Sequence, residues 1–309
     1  MTRVVFLDAG TLPQGLSFDA DSGVHYTPYE TTAPAEVAER IATADIVITN
    51  KVRLGAEEMR AATKLRLIAV AAAGTDNIDL ASASELGIAV ENVPDYGSDS
   101  VAEHAIATLF ALRRALPVYS AAACDGRWSE SPHLCWNGPP IRDVAGSRFG
   151  VVGRGRIGEA AARIARGVGM QVTFAQTPGV PCRDDELPLD ALLEQSDAIT
   201  LHVPLTPHTQ NLIDARALRR MKRDAILINT GRGALVDAAA LAEALREGVI
   251  AGAAIDVLDV EPPAPDHPLL VPGIPNLLLT PHVAWASEAA QSKLAGRLVE
   301  MVRSQAAKQ

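Results

Sequence analysis

The chain has little cysteine: three in 309 residues. Cys124, Cys135 and Cys182 show no paired metal spacing, and so they read as unpaired small fillers in a reducing cytoplasm. Positive charge is also short. Lys and Arg number 28 against 37 Asp and Glu, a net charge of −9. That argues against nucleic acid or an anionic membrane as a partner. Small anionic substrates are not excluded, because local charge can oppose the net. No apolar run approaches the ~20 residues of a membrane span. Met1-Thr2-Arg3 leads directly into a strand, so no signal peptide is expected, and the expected location is cytoplasmic. No pair of histidines has the spacing of a helical metal site, so no metal is expected.

What is present is enough chain for two domains, each with its own core, and one stretch that organises the rest. Phe149-Gly150-Val151-Val152-Gly153-Arg154-Gly155-Arg156-Ile157-Gly158 runs from an apolar strand into G-x-G-x-x-G and then into a helix. Gly153 permits the tight turn, Gly155 lets a pyrophosphate approach the backbone, and Gly158 lets helix and sheet pack closely. Ile157, Ala160, Ala161, Ile164, Ala165 and Val168 then fall on one helical face. The helix start is an anion site. A second strand at 171–175 completes the dinucleotide-binding pattern. The acid expected to end that strand and bind the ribose hydroxyls is missing; Gln176 holds its place. A Gln does not repel a 2′-phosphate, so the cofactor is NAD(H) or NADP(H) with the preference open. Arg183, further along the loop, could reach a phosphate or be a solvated charge.

Before this stretch, strands read at 4–8, 45–50, 65–72 and 88–93, with helices at 34–44, 55–62 and 81–86. The alternation predicts a small parallel sheet with helices on both faces. The turn at 71–77 either offers N–H groups to an anion or is a plain Asp-capped turn. An apolar helix reads at 101–112. Residues 125–146, with Trp128, Trp136, Pro132, Pro139 and Pro140, show no period. They read as part of an arm at about 120–147 that packs on a second subunit.

After it, six strands read at 150–152, 172–175, 198–202, 225–229, 253–257 and 277–279, with helices at 189–194, 215–221 and 238–246. The fold class is α/β, with two doubly wound parallel-sheet domains. A last helix at 286–303 follows the cofactor domain and could return to the first. The division is then 1–97 plus 286–309 for the substrate domain and 98–285 for the dinucleotide domain, with a hinge at the two crossings.

Ligands sit at the carboxyl ends of strands in such sheets. His202, Thr230, Arg232, Asp256, Glu261 and His282 fall there. Arg232, flanked by Gly231 and Gly233, can clamp a carboxylate with two hydrogen bonds. His282 could be the acid–base group. Glu261, before Pro262 and Pro263, would favour the imidazolium and fix its tautomer. Together they suit reduction of a 2-oxo acid. His202 and His104 read as bonded to backbone or as helix caps. His25, His133, His208 and His267 read as surface residues.

These residues resemble the D-isomer-specific 2-hydroxyacid dehydrogenases. The matching blocks are Ala73-Gly74-Thr75-Asp76-Asn77-Ile78-Asp79, Ser100-Val101-Ala102-Glu103-His104, the glycine fingerprint with Arg156-Ile157, and His202-Val203-Pro204-Leu205-Thr206 with Thr209. They continue through residues 228–233, Asp256-Val257 with Glu261-Pro262, and residues 281–287. The last block, with Trp128 and the Pro-rich arm, is most similar to the glycerate dehydrogenase (hydroxypyruvate reductase) branch.

The resemblance implies a Rossmann cofactor domain inserted into a flavodoxin-like substrate domain, and Arg232, Glu261 and His282 as the catalytic set. Cofactor contacts would come from Val101 (or Ser100), Gly153, Gly155, Arg156, Ile157, Gly158, Gln176, Val203, Pro204, Thr209, Thr230, Gly231, Asp256 and His282. Asp256 would hold the nicotinamide amide. Ala73, Gly74, Arg232 and His282 would take the substrate. A homodimer is implied, and so is a small 2-oxo acid substrate, hydroxypyruvate or glyoxylate, reduced to the D-hydroxy acid or glycolate. Gln176 departs from the family pattern, as does Ala73, where a hydroxyl residue is common. Lys51, at a strand end of the small domain, could attract an anionic substrate or be solvated. A larger or phosphorylated 2-hydroxy acid, or a non-catalytic NAD(H)-sensing role, are the alternatives.

Overall fold

The structure is a computed structural model that describes residues 1–19 and 22–308. The chain divides into two compact units, Met1–Gly97 with Ala286–Gln309, and Ser98–Trp285.

In the first unit the elements are β1 (Thr2–Phe6), β2 (Val24–Pro28), α1 (Val37–Ile41), β3 (Ile46–Thr49), α2 (Ala56–Ala61), β4 (Leu67–Val70), α3 (Leu80–Glu85) and β5 (Ala89–Asn92). The sheet is wholly parallel in the order β2-β1-β3-β4-β5, the flavodoxin-like winding. β3 (IVIT) and β4 (LIAV) are buried at every residue. Such continuous apolar runs are what a parallel strand covered on both faces requires. Leu7, Ile41, Val47, Leu54, Met59 and Ile68 build one side of the core.

The second unit holds α4 (Ser98–Arg113), α5 (Leu116–Cys124), β6 (Arg148–Val152), α6 (Arg156–Gly167), β7 (Gln171–Ala175), β8 (Glu186–Leu187), α7 (Leu189–Gln195), β9 (Ala198–Leu201), α8 (Ala215–Arg220), β10 (Ile226–Asn229), α9 (Ala238–Arg246), β11 (Gly252–Ile255) and β12 (Leu277–Leu279). Its sheet runs β12-β11-β10-β9-β6-β7-β8. Counted from β6, this is the 3-2-1-4-5-6 dinucleotide-binding order with one strand added. Successive strand residues face opposite ways. Phe149 and Val151 of β6 enter the core under α4 and α6, while Val152 enters the core under α7, α8 and α9. Burying a side chain such as Phe149 contributes about 1.5–3 kcal/mol. The last helix, α10 (Glu288–Ala306), belongs to the first unit and buries Ala290, Leu294, Leu298 and Val302 along one stripe.

Three elements depart from the sequence reading. The dinucleotide sheet has seven strands, not six. β8 is two residues long and pairs only with β7, too short to show a period. β2 was missed because it is an edge strand ending in Pro28, with no apolar run. α5 was missed because Pro117 reads as a terminator. Here it stands in the first turn, where its missing N–H costs nothing. No helix among the described residues is long and apolar enough to cross a membrane. The three cysteines are free but exposed, so they do not fill a core.

Candidate active site

The glycine turn between β6 and α6 has the geometry its sequence requires. Gly153 has φ of 103°, and a Cβ there would lie 2.4 Å from the His202 carbonyl oxygen. A Cβ on Gly158 would lie 2.0 Å from the Gly153 carbonyl oxygen. Neither position admits a side chain. Gly155 differs: it is exposed, and a Cβ on it would meet nothing within 4 Å. Its smallness therefore serves no packing inside the unit. As the N-cap of α6 it makes no side-chain cap bond. By contrast α8 and α9 are capped by Asp214 and Asp237.

The next strand ends hold the residues named for the cofactor. Thr230 follows β10, and its Oγ1 is buried with no hydrogen-bond partner among the described residues. A buried hydroxyl left this way is costly and fits a ligand that would complete it. Val203 and Thr209 are buried. The Thr209 hydroxyl takes the Thr206 N–H at 2.8 Å and donates to the Pro204 carbonyl at 2.7 Å, which shapes the loop after β9. Gln176 follows β7 directly, with its N–H on the Leu187 carbonyl at 2.8 Å. Arg156 is exposed, Ile157 partly buried, and Val101 is buried on the first turns of α4. These residues fit a nicotinamide dinucleotide: closed backbone at Gly153 and Gly158, open backbone at Gly155, and an orphaned hydroxyl at Thr230.

Arg232 sits in a turn held from within. Buried Asn229 accepts the Gly231 N–H at 3.0 Å and donates to the Arg232 carbonyl at 2.9 Å. Arg232 Nη1 donates to the Gly231 carbonyl at 3.0 Å. His282 has φ of 55°, and its N–H donates to the Asp256 carbonyl at 2.8 Å. His282 Nδ1 lies 2.6 Å from Glu261 Oε2. The other carboxylate oxygen, Oε1, accepts the Leu258 N–H at 2.8 Å. Glu261 thus occupies Nδ1 and leaves Nε2 of His282 as the ring nitrogen for other work. All three residues lie in the second unit, and His282 and Glu261 are in contact.

Asp256 is buried, and its carboxylate accepts from the Thr280 hydroxyl at 2.5 Å, the Val283 N–H at 3.0 Å and the Ala284 N–H at 2.9 Å. It therefore ties down the segment that carries His282. Ala73 and Gly74 lie in the first unit after β4; Ala73 is exposed, and its carbonyl accepts from the Asn92 side chain at 2.5 Å. Asp79 caps α3 through the Ser82 N–H. Lys51 sits in the turn after β3, its N–H on Asp8 Oδ2 at 2.6 Å.

Three histidines depart from their sequence reading. His267 is buried, not on the surface. His202 and His104 bond side-chain hydroxyls rather than backbone. His202 Nε2 lies 3.0 Å from Thr200 Oγ1, and His104 Nε2 lies 3.1 Å from Thr280 Oγ1. Burial pushes the His202 pKa down to about 4, so this ring is neutral at pH 7. Sequence reasoning also missed the surroundings of Arg154. Its guanidinium lies 4.6 Å over the Phe174 ring and bonds Glu159 at 2.8 Å and Asp185 at 2.7 Å. Its pKa is raised by the Glu159 and Asp185 bonds. Nothing in local sequence links 154 to 185. Among the described residues, no group of three or more His, Cys, Asp or Glu is placed to hold a metal ion.

Residues 106–284 match the model of the D-isomer specific 2-hydroxyacid dehydrogenase, NAD binding domain. The chain is 44% identical to a glycerate dehydrogenase of Methylorubrum extorquens, over 98% of this chain and 95% of that one. Among solved structures, it resembles a D-lactate dehydrogenase of Aquifex aeolicus complexed with NAD and lactic acid. The TM-score is 0.81, with 27% identity over 97% of this chain and 94% of that one. It also resembles an NADPH-dependent glyoxylate/hydroxypyruvate reductase of Sinorhizobium meliloti in complex with NADP and malonate. Here the TM-score is 0.80, with 29% identity over 98% of this chain and 93% of that one.

Proposed function

Because the chain belongs to the D-isomer specific 2-hydroxyacid dehydrogenase family, and is thus an NAD(P)-dependent oxidoreductase, we propose that it reduces hydroxypyruvate or glyoxylate to D-glycerate or glycolate. The observation that carries this reading is the 2.6 Å contact between His282 Nδ1 and Glu261, on the same strand edge as the Arg232 turn. The names of the relatives, a glycerate dehydrogenase and a glyoxylate/hydroxypyruvate reductase, support the substrate class.

Arg232 pairs with the substrate carboxylate and polarises the carbonyl. When bound, the reduced nicotinamide supplies a hydride to the carbonyl carbon. His282 gives the proton on Nε2 to the carbonyl oxygen, completing the alcohol. Glu261 holds the ring by Nδ1, so that the proton is presented from one nitrogen only. Thr230, Gly155 and the start of α6 receive the cofactor, and Asp256 keeps the His282 segment in register for the nicotinamide amide. Gln176 sets no charge against a 2′-phosphate, so both NADH and NADPH are candidates. The arm supports a dimer: Trp128, Leu134 and Ile141 stand 51%, 94% and 49% exposed, apolar surface that a second copy of the chain would cover.

The test is oxidation of NADH and, separately, NADPH with hydroxypyruvate, glyoxylate, pyruvate and a phosphorylated 2-oxo acid, followed by the absorbance of the reduced cofactor. Fast oxidation with hydroxypyruvate or glyoxylate is expected. Turnover only with the phosphorylated acid moves the substrate. Cofactor binding with no turnover on any of them overturns the reading in favour of a sensor.

A further inference from the structure

The catalytic histidine has a counterpart 15 positions earlier in the chain. His267 is 8% exposed, and its Nε2 lies 2.8 Å from Asp259 Oδ1. Its Nδ1 accepts the Leu269 N–H at 3.2 Å. A ring nitrogen that accepts carries no proton, so in the neutral ring the proton is on Nε2 and points at Asp259. That bond is the largest of the influences holding the Asp259 carboxyl below its usual pKa. Leu269 is itself buried in the core under α8 and α9. The imidazole therefore bridges a fixed core residue to a loop.

That loop carries the proposed chemistry. Leu258, next to Asp259, gives its N–H to Glu261 Oε1, while Glu261 Oε2 holds His282. Leu258 and Asp259 also meet the Arg232 turn backbone to backbone, at Gly233. A Cβ on Gly233 would lie 1.9 Å from the Leu258 carbonyl carbon and 2.2 Å from the Asp259 nitrogen. The segment Leu258-Asp259 thus sets the place of Glu261 directly, of His282 through Glu261, and of Arg232 through Gly233. In this stretch after β11 Leu258 packs partly buried against the core under α7, α8 and α9, while Asp259 is exposed and is held by His267.

We propose that His267 and Asp259 are a positioning pair, which fixes the loop behind Arg232 and Glu261 and thereby sets the proton-donating geometry of His282. The inference rests on the function proposed above. A shift of about 1 Å at such a site costs on the order of 100-fold in rate. The cofactor turn at residues 153–158 has no part in the tie.

The test compares His267→Leu, His267→Gln and Asp259→Asn with the unaltered chain and with His282→Ala. Expected for His267→Leu is a kcat lower by about tenfold to 100-fold, with NADH affinity, read by fluorescence titration, unchanged. The pH profile of kcat/KM should also shift, because the Glu261–His282 contact loosens. His267→Gln, which retains a donor, should recover most of the rate, and Asp259→Asn should fall between the two. A folded His267→Leu enzyme with the original kcat and pH profile overturns the proposal. So does a loss of kcat matched by an equal loss of NADH affinity, which marks a general structural effect. If His282→Ala still turns over, the function proposed above fails instead.

Discussion

The two parallel sheets follow the same winding rules and use their carboxyl edges in opposite ways. In the first unit Asp8 follows β1 and is buried. Its carboxylate takes the N–H groups of Asn50, Lys51 and Val52 at 2.8, 2.6 and 3.3 Å. The edge closes on itself: a charge meets the donors of the neighbouring strand's turn. In the second unit the corresponding edge is left open. Gly155 caps α6 without a side chain, and the Thr230 hydroxyl is buried without a partner among the described residues. The Asp256 carboxylate is satisfied by Thr280, Val283 and Ala284, while His282 meets Glu261 through one ring nitrogen. A parallel sheet concentrates polar groups at this edge in either case. Whether the edge is scaffold or site depends on whether the chain supplies its own partners.

The largest expected effect breaks the open edge. His282→Ala should lower kcat by about 100-fold to 10,000-fold while NADH titration gives the same affinity; an unchanged kcat removes the role. The closed edge should respond in stability instead. Asp8→Ala strands three N–H groups and should cost roughly 2–4 kcal/mol in urea unfolding, with NADH affinity unchanged.

pH probes the boundary between the two behaviours. The His202 ring takes up a proton near pH 6.5 when unfolded and only near pH 4 when folded. Between those values the unfolded chain binds the extra proton. The stability contribution is therefore full above pH 6.5 and is lost as pH falls toward 4, by at most about 3 kcal/mol, with partial exposure reducing it. His202→Asn should flatten that part of the urea midpoint against pH; an unchanged slope assigns the acid sensitivity elsewhere.

Two smaller effects sharpen the comparison. Gly155→Ala meets no atom, so the melting temperature should hold while NADH affinity falls about tenfold. Loss of stability instead would make Gly155 a packing residue. Gln176→Asp should shift the NADH/NADPH ratio of kcat/KM toward NADH by a few fold through repulsion of the 2′-phosphate. Arg183→Ala should act in the same direction, although Arg183 already stands 4.0 Å from Glu186. If neither variant moves the ratio, the loop does not choose the cofactor.

Much of this was legible in the chain itself, for reasons that differ by residue. Gly153 and Gly158 are readable because the positive φ of Gly153 and the approach of Gly158 to the Gly153 carbonyl are local, although the His202 carbonyl that also crowds Gly153 is not. The strands 46–49 and 67–70 are readable because burial on both faces leaves an unbroken apolar run. Arg232, Glu261 and His282 could be named as candidates because each follows a strand, and strand ends in a wound sheet share one edge. His267 was misread because a histidine between Asp266 and Pro268 carries no period, and only the fold brings Leu269 into the core beside it. β8 and the partners of Arg154 were out of reach for a similar reason. They arise from pairings between segments with no shared pattern.

The sequence by itself determined the two wound sheets, the dinucleotide turn and the residue types at the strand ends, because periodicity and glycine stereochemistry act over a few residues. Tertiary structure alone decided which polar groups are consumed and which are left open. Asp8 and Thr230 are both polar residues that follow a buried strand. The Asp8 carboxylate meets three N–H groups across a neighbouring turn and the Thr230 hydroxyl meets no partner among the described residues, because hydrogen bonds reach about 3 Å in space and take no account of distance along the chain.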